Sequence, residues 1–274
     1  MRKIFNIIIY IFAGIGFILV GVYFALGLGL TKTSGIIDTQ HDYFKNQVNG
    51  TASSTSTSVE AWQQSEEWQI LKAAIVNDTA IITAAGNKVG VQPRLIVSIL
   101  IVEQLRLFYS EREIFKSVFA PLKILGNQSQ FSWGVMGVKQ DTARQIENNL
   151  TDKASPWYLG AEYSHLLDYS ATTTDTDTAR FARLTDEHDR YYSYLYGAIL
   201  IKEVASQWQN ANFPISDRPD LIATLFNIGF TNSKPNATPQ VGGAEIDIGS
   251  TTYSFGGLAG SFYASDELID EFPR

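Results

Sequence analysis

Cysteine is absent from the 274 residues, which removes disulfides, thiol nucleophiles and zinc–thiolate sites from consideration. That absence does not fix the compartment, because a domain of this size can stabilise itself by burial without cross-links. Histidine is scarce, at three residues, and His41 and His165 have no partners at metal-ligand spacing. Nor is there a basic block: 21 Lys and Arg stand against 28 Asp and Glu, a formal net charge of −7. This balance argues against nucleic acid as a partner and against a domain held on membranes by charge. No internal repeat is visible.

What is present begins with an apolar stretch from Ile4 to Leu30, preceded by Arg2-Lys3. It exceeds the roughly 20 residues that span a bilayer. A cleaved signal peptide has a shorter apolar region, about 7–15 residues, and ends in a small-x-small site that Phe24–Leu30 does not clearly supply. The reading is an uncleaved anchor over residues 1–31, with the N-terminal charges in the cytoplasm and the remainder outside it. Residues 32–58 form a juxtamembrane segment and a tether, because Thr51-Ala-Ser-Ser-Thr-Ser-Thr-Ser58 has nothing to bury.

The folded domain is expected over residues 59–274. Helical period runs through Ala61–Val76, with Trp68, Leu71, Ile75 and Ile82 on one side, and Gly86 and Gly90 are read as breaks. Pro93 opens the next helix at its first turn, where proline is tolerated. Further helices are expected at Asp141–Leu150, Trp157–Leu167, Tyr191–Gln209 and Asp220–Asn227, with Ser170–Thr178 as a polar loop. Beyond Phe230, Ala244–Ile248 and Thr251–Phe255 read as a hairpin or small sheet. The fold class is mainly α, with a minor C-terminal β element, α+β in the loose sense.

Chemistry concentrates at Glu103, which closes the apolar run Leu95–Val102. Helical spacing from Ile96 through Ile99 and Leu100 puts its carboxyl on a face that is otherwise core. Desolvation favours the protonated form of a carboxyl group, and a protonated carboxyl in a cleft is a general acid. The plainer alternative is a surface ion pair with Arg106, three residues on. Metal binding is not expected: Asp175-Thr-Asp177 lacks the glycine and distal glutamate of a calcium loop. Asp186-Glu-His-Asp189 points its residues in different directions just before a helix, where acidic side chains favour the dipole. Among Tyr191, Tyr192, Tyr194 and Tyr196, which could stack on sugars, at least half are expected in packing.

Three segments occur in a fixed order: Gly90–Glu103, then Ser132-Trp-Gly-Val-Met-Gly-Val-Lys-Gln-Asp-Thr-Ala143, then Ala223-Thr-Leu-Phe-Asn-Ile-Gly229. Together they resemble the soluble-lytic-transglycosylase and goose-type lysozyme superfamily, over roughly Val89–Phe230. The resemblance implies a lysozyme-like helical domain with Glu103 as the acid that protonates the glycosidic oxygen. It implies that Ser132, Gly134, Val135 and Met136 line the saccharide cleft, and that Phe226, Asn227 and Gly229 stand beside the glutamate. It also implies peptidoglycan glycan strands as the partner, no cofactor, and intramolecular attack by the muramoyl C6 hydroxyl to give a 1,6-anhydro sugar.

The chain departs from the family's pattern at Gln104, where serine is frequent, at Gly137, where glutamine is, and at Phe226, where tyrosine is. Gln104 or Gln140 is a candidate to replace the missing amide. No second carboxylate occupies a motif position, although Glu111, Glu113 and Asp141 are nearby. The long stretch Gly160–Asp189 reads as an insertion against one wall of the cleft. Two rivals accompany this reading: a weakened member that binds peptidoglycan as a scaffold for an envelope machine, and a helical envelope structural protein.

Overall fold

The computed structural model describes residues 60–109, 132–186 and 188–274. The segments expected as anchor and tether, and Glu111 and Glu113, lie outside the described residues. Among those described, no helix is long and apolar enough to cross a membrane. The domain is mainly helical. In chain order the helices are α1 (Glu66–Asn77), α2 (Thr79–Val89), α3 (Pro93–Tyr109), α4 (Gln140–Thr151), α5 (Thr176–Thr185), α6 (Tyr191–Asn210), α7 (Pro219–Ile228) and α8 (Phe255–Ala264). Two antiparallel hairpins complete it, β1 (Ser132–Trp133) with β2 (Val138–Lys139), and β3 (Glu245–Ile248) with β4 (Thr251–Ser254).

Helix α3 is the axis of the core. Ile96, Val97, Ile99, Ile101, Val102 and Leu105 point in every direction around it and each is fully buried. Such a helix requires cover on all sides, and it touches α1, α2, α6, α7, α8 and β3. Helix α6 is the second long buried element, with Tyr194, Tyr196, Ile199, Leu200 and Trp208 all inside. Each fully buried side chain of this size contributes about 1.5–3 kcal/mol.

The start of α3 carries an unusual buried cation. Arg94 is 0 % exposed, and no carboxylate accepts a hydrogen bond from it among the described residues. Its guanidinium donates instead to five backbone carbonyls: Phe262 (3.1 Å), Tyr263 (2.9 Å), Ser265 (2.5 Å), Glu267 (3.1 Å) and Phe272 (2.9 Å). Phe262, Tyr263 and Ser265 lie at the end of α8, where the last carbonyls have no partner in the helix and carry the negative pole of its dipole. The guanidinium also lies 4.9 Å from the Phe262 ring centroid. Trp62, Trp68 and Phe262 pack edge to face behind it, with centroids 5.3–6.0 Å apart.

Several sequence expectations are corrected here. Ala61–Val76 is not continuous: a 3₁₀ turn covers Ala61–Gln64, and Ser65 then caps α1 by accepting the Trp68 amide. Ile82 belongs to α2, beyond a break at Asp78. Gly86 lies inside α2 rather than breaking it. A Cβ there would sit 2.6 Å from the Val91 carbonyl oxygen, so glycine permits the tight α2–α3 corner, while Gly90 (φ 71°) ends the helix. Trp157–Leu167 is turn and 3₁₀ structure, because Asp152 and Ser155 accept the amides of Ala154 and Trp157, and Gly160 adopts φ 121°.

The loop expected over Ser170–Thr178 ends at Asp175, and Thr176–Thr185 is a helix that the sequence did not suggest. Asp175 caps it by accepting the Asp177 and Thr178 amides, which explains the Asp-Thr-Asp pattern. Asp186 similarly accepts the amides of His188 and Asp189. The C-terminal hairpin pairs Glu245 with Ser254 and Ile248 with Thr251, as the sequence suggests. The glycine-rich stretch after it is helix α8, held because Gly256 and Gly260 let it meet α7 backbone to backbone. A Cβ on Gly256 would reach within 2.4 Å of the Asp220 carbonyl oxygen.

A second buried charge sits on α6. Glu203 is 0 % exposed, accepts one long bond from Asn149 (3.4 Å), and its Oε1 has no partner among the described residues. Burial pushes its carboxyl well above the usual range, only partly offset by Asn149. The protonated form is therefore favoured in the folded state, and stability is lost as pH rises from the unfolded carboxylate range, about 4.3, toward the folded value.

Two outcomes follow from these buried charges. Arg94→Met removes five hydrogen bonds at once, leaves the Glu267 and Phe272 carbonyls without a donor among the described residues, and is expected to cost more than about 3 kcal/mol, measured by calorimetric unfolding; a loss below about 1 kcal/mol would mean that water satisfies them. Glu203→Gln is expected to raise the thermal midpoint at pH 7 by about 2–4 °C and to have little effect at pH 4. An equal shift at both pH values would count against a titrating Glu203.

Candidate active site

Glu103 lies about two turns from the end of α3, with 3 % of its surface exposed. It is both buried and paired: Arg106 Nη2 donates to its Oε2 at 2.6 Å. Burial on the core face and pairing with Arg106 thus occur together, in an ion pair of the i, i+3 type withdrawn from the surface. Arg106 keeps 11 % of its side chain exposed, and its Nε is buried with no hydrogen-bond partner among the described residues.

The second motif forms a tight loop against this carboxylate. Strands β1 and β2 pair Ser132 with Lys139 and Trp133 with Val138, leaving residues 134–137 as the connection, closed by the Gly137 amide donating to the Gly134 carbonyl at 3.2 Å. Gly134 and Gly137 have φ of 63° and 62°, a region that penalises any other residue. Contact adds a second constraint at each. A Cβ on Gly134 would come within 2.1 Å of the Leu184 carbonyl oxygen, and one on Gly137 within 2.6 Å of Glu103 Oε2. The expected insertion thus reaches the loop through the last turn of α5.

Other members of the motif serve as anchors. Gln104 Nε2 donates to the Val135 carbonyl at 2.6 Å, fixing the loop to the helix that carries Glu103. Met136 is fully buried, and its amide donates to Ser193 Oγ at 3.3 Å. Its side chain fits against Gly197 of α6, where a Cβ would lie 2.8 Å from Met136 Cε. The methionine holds the loop down through the core rather than facing a ligand. Ser132 is placed by its backbone pairing with Lys139.

The third motif is the end of α7. Phe226 is buried, at 7 % exposure, while Asn227 is half-buried. Asn227 Oδ1 accepts the Ala244 amide at 2.9 Å and touches Gly243, holding the approach to β3. Gly229 ends the helix with φ 80° and open space where a side chain would be. The structure therefore brings Glu103, Val135 and Gly137 into one contact group with Gln104 and Arg106. Among the described residues, no hydrogen bond joins Asn227 to that group. Asp141 is exposed and pairs with Arg144 at the start of α4.

One polar cluster was not foreseen. Arg180, 3 % exposed, clasps Glu147 with two bonds, Nε to Oε1 at 2.8 Å and Nη2 to Oε2 at 2.5 Å. Tyr169 (2.5 Å) and Tyr196 also donate to Glu147. Burial, and then the bond to Glu147, pushes the Tyr169 hydroxyl up to about 12. A cavity of about 430 Å³ opens beside this cluster, between α4, residues 164–169 and α5. Its charged groups satisfy one another, so the cluster fastens the insertion to α4 and α6. The residues lie 22–49 positions apart in sequence, and no local pattern connects them. Of the four tyrosines considered for stacking, Tyr194 and Tyr196 are buried, and Tyr194 donates to Asp78 at 2.6 Å.

Comparison of the chain with protein-family models, with curated proteins and with solved structures finds no match in any of the three.

Proposed function

We propose that the protein is a membrane-anchored peptidoglycan lytic transglycosylase, with its domain on the extracytoplasmic side and Glu103 as its single acid and base. The observation that carries this reading is the direct contact between the first two motifs: Gly137 rests on the Glu103 carboxylate, and Gln104 grips Val135 beside it. Two segments thirty residues apart in sequence meet at a carboxyl group set into an apolar helix. A sugar laid along a backbone turn without side chains at its corners can approach such a group closely.

The reaction asks little more of the protein. Glu103, when protonated, gives its proton to the oxygen leaving the muramoyl unit; the carboxylate then removes the proton of the C6 hydroxyl as that oxygen closes on C1. Cleavage yields a 1,6-anhydro end and restores the acid. The Gly134–Gly137 turn offers backbone groups to the sugar, and Phe226 and Asn227 stand for the family's tyrosine and asparagine. Before it can act, Glu103 must leave the Arg106 guanidinium. That ion pair favours the second reading, a domain that binds peptidoglycan as an envelope scaffold without cutting it.

Glu103→Gln decides between them. Turnover of purified peptidoglycan is expected to fall by about 100-fold or more with strand binding retained, and wild-type fragments, weighed by mass spectrometry, should carry the anhydro end. Fragments with a free reducing end would make water the nucleophile; no fragments from either form would leave the scaffold reading. Restoring the family's residue with Gly137→Gln should lower turnover by at least about 10-fold, because a side chain at positive φ costs about 1–2 kcal/mol and displaces Glu103. An increase in turnover would mean that the loop, not the carboxylate, yields.

A further inference from the structure

Arg106 is only half used. Its guanidinium, nine-tenths hidden, makes one hydrogen bond among the described residues, Nη2 to Glu103 Oε2, although its fork can hold a carboxylate by two parallel bonds. The inner nitrogen, Nε, is buried with no acceptor among the described residues. An unsatisfied buried donor is costly, and native structures rarely leave one without a use. At the same time Glu103 can hand on a proton only when it is no longer the acceptor of Arg106. One event answers both conditions: the arrival of another carboxylate at the guanidinium.

We infer that Arg106 is a specificity residue that receives a carboxylate of the glycan beside the bond to be cut, so that the site takes muramoyl strands in preference to neutral N-acetylglucosamine polymers. This rests on the glycan reading of the Glu103 site. The incoming carboxylate takes the guanidinium through Nε and Nη2. Glu103, released, accepts a proton from solvent and turns from Arg106 to the glycosidic oxygen beside Gly137. A neutral polymer brings no competing acceptor and leaves Glu103 tied to Arg106. The carboxylate has two chemical sources, the lactyl group of muramic acid in strands without peptide and the acid groups of the stem peptide.

The test uses the full chain in detergent and four ligands: peptide-stripped strands, the same strands with their carboxyls amidated, peptide-bearing strands, and chitohexaose. Binding is measured by calorimetry and turnover by mass spectrometry, for wild type, Arg106→Gln and Arg106→Lys. Wild type is expected to bind a carboxylate-bearing strand at least about 10-fold more tightly than amidated strands or chitohexaose. Arg106→Gln should bring that ratio close to one, and Arg106→Lys should keep part of it. Preference for stripped strands identifies the lactyl group as the source; preference for peptide-bearing strands alone identifies the stem peptide. Equal wild-type affinities, or the same ratio in a folded Arg106→Gln, overturn the assignment. The wild-type comparison needs no variant, so it stands even if Arg106→Gln fails to fold. Preference without turnover would sink the transglycosylase reading and keep Arg106; turnover on all four ligands alike would do the reverse.

Discussion

The rest of the domain depends on covering one helix. The seventeen residues of α3 are apolar on every side, and leaving any face in water would forfeit about 25 cal/mol for each Å² of it. Five other helices and a strand meet that demand. Two charged groups are buried on this helix, and each has its own compensation. Arg94 is surrounded by carbonyls, and Glu103 by Arg106 and a turn whose Gly137 leaves it room. The carboxylate is thus held in place by the same burial that makes it chemically interesting, and any change that loosens α3 moves it.

Much of this was legible in the sequence. The helices α3, α4, α6 and α7 follow from period, with Pro93 opening α3, and β3–β4 follows from the strand-forming residues beyond Phe230. What escaped has physical causes. Helix α8 is written in residues with little helical propensity, Phe-Gly-Gly-Leu-Ala-Gly, and exists because α7 lies close enough to need those glycines. Helix α5 is hidden in a polar stretch whose order comes from a cap at Asp175 and a clasp at Glu147, neither visible as period. Conversely, the apolar and aromatic content of Trp157–Leu167 reads as helix, yet local side-chain bonds win there.

The site was legible in part. Glu103 is recognisable because an acid is out of place in an apolar run, and the glycines of the second motif because turns need them. The reason for Gly137 in particular is invisible without coordinates: its missing Cβ leaves room for an atom of a residue 34 positions earlier. Met136 and Asn227 illustrate the opposite limit. A motif records which residues occur together, while their roles here divide between holding the loop into the core and holding the strand after Gly243.

The acceptors of Arg94 join two distant parts of the chain. All five belong to residues 262–272, some 168–178 positions away from the guanidinium. Until that segment docks, the head of α3 holds a bare charge facing an apolar core, and packing around it is opposed by desolvation. The central helix and residues 262–272 therefore close the core together, and neither is buried without the other.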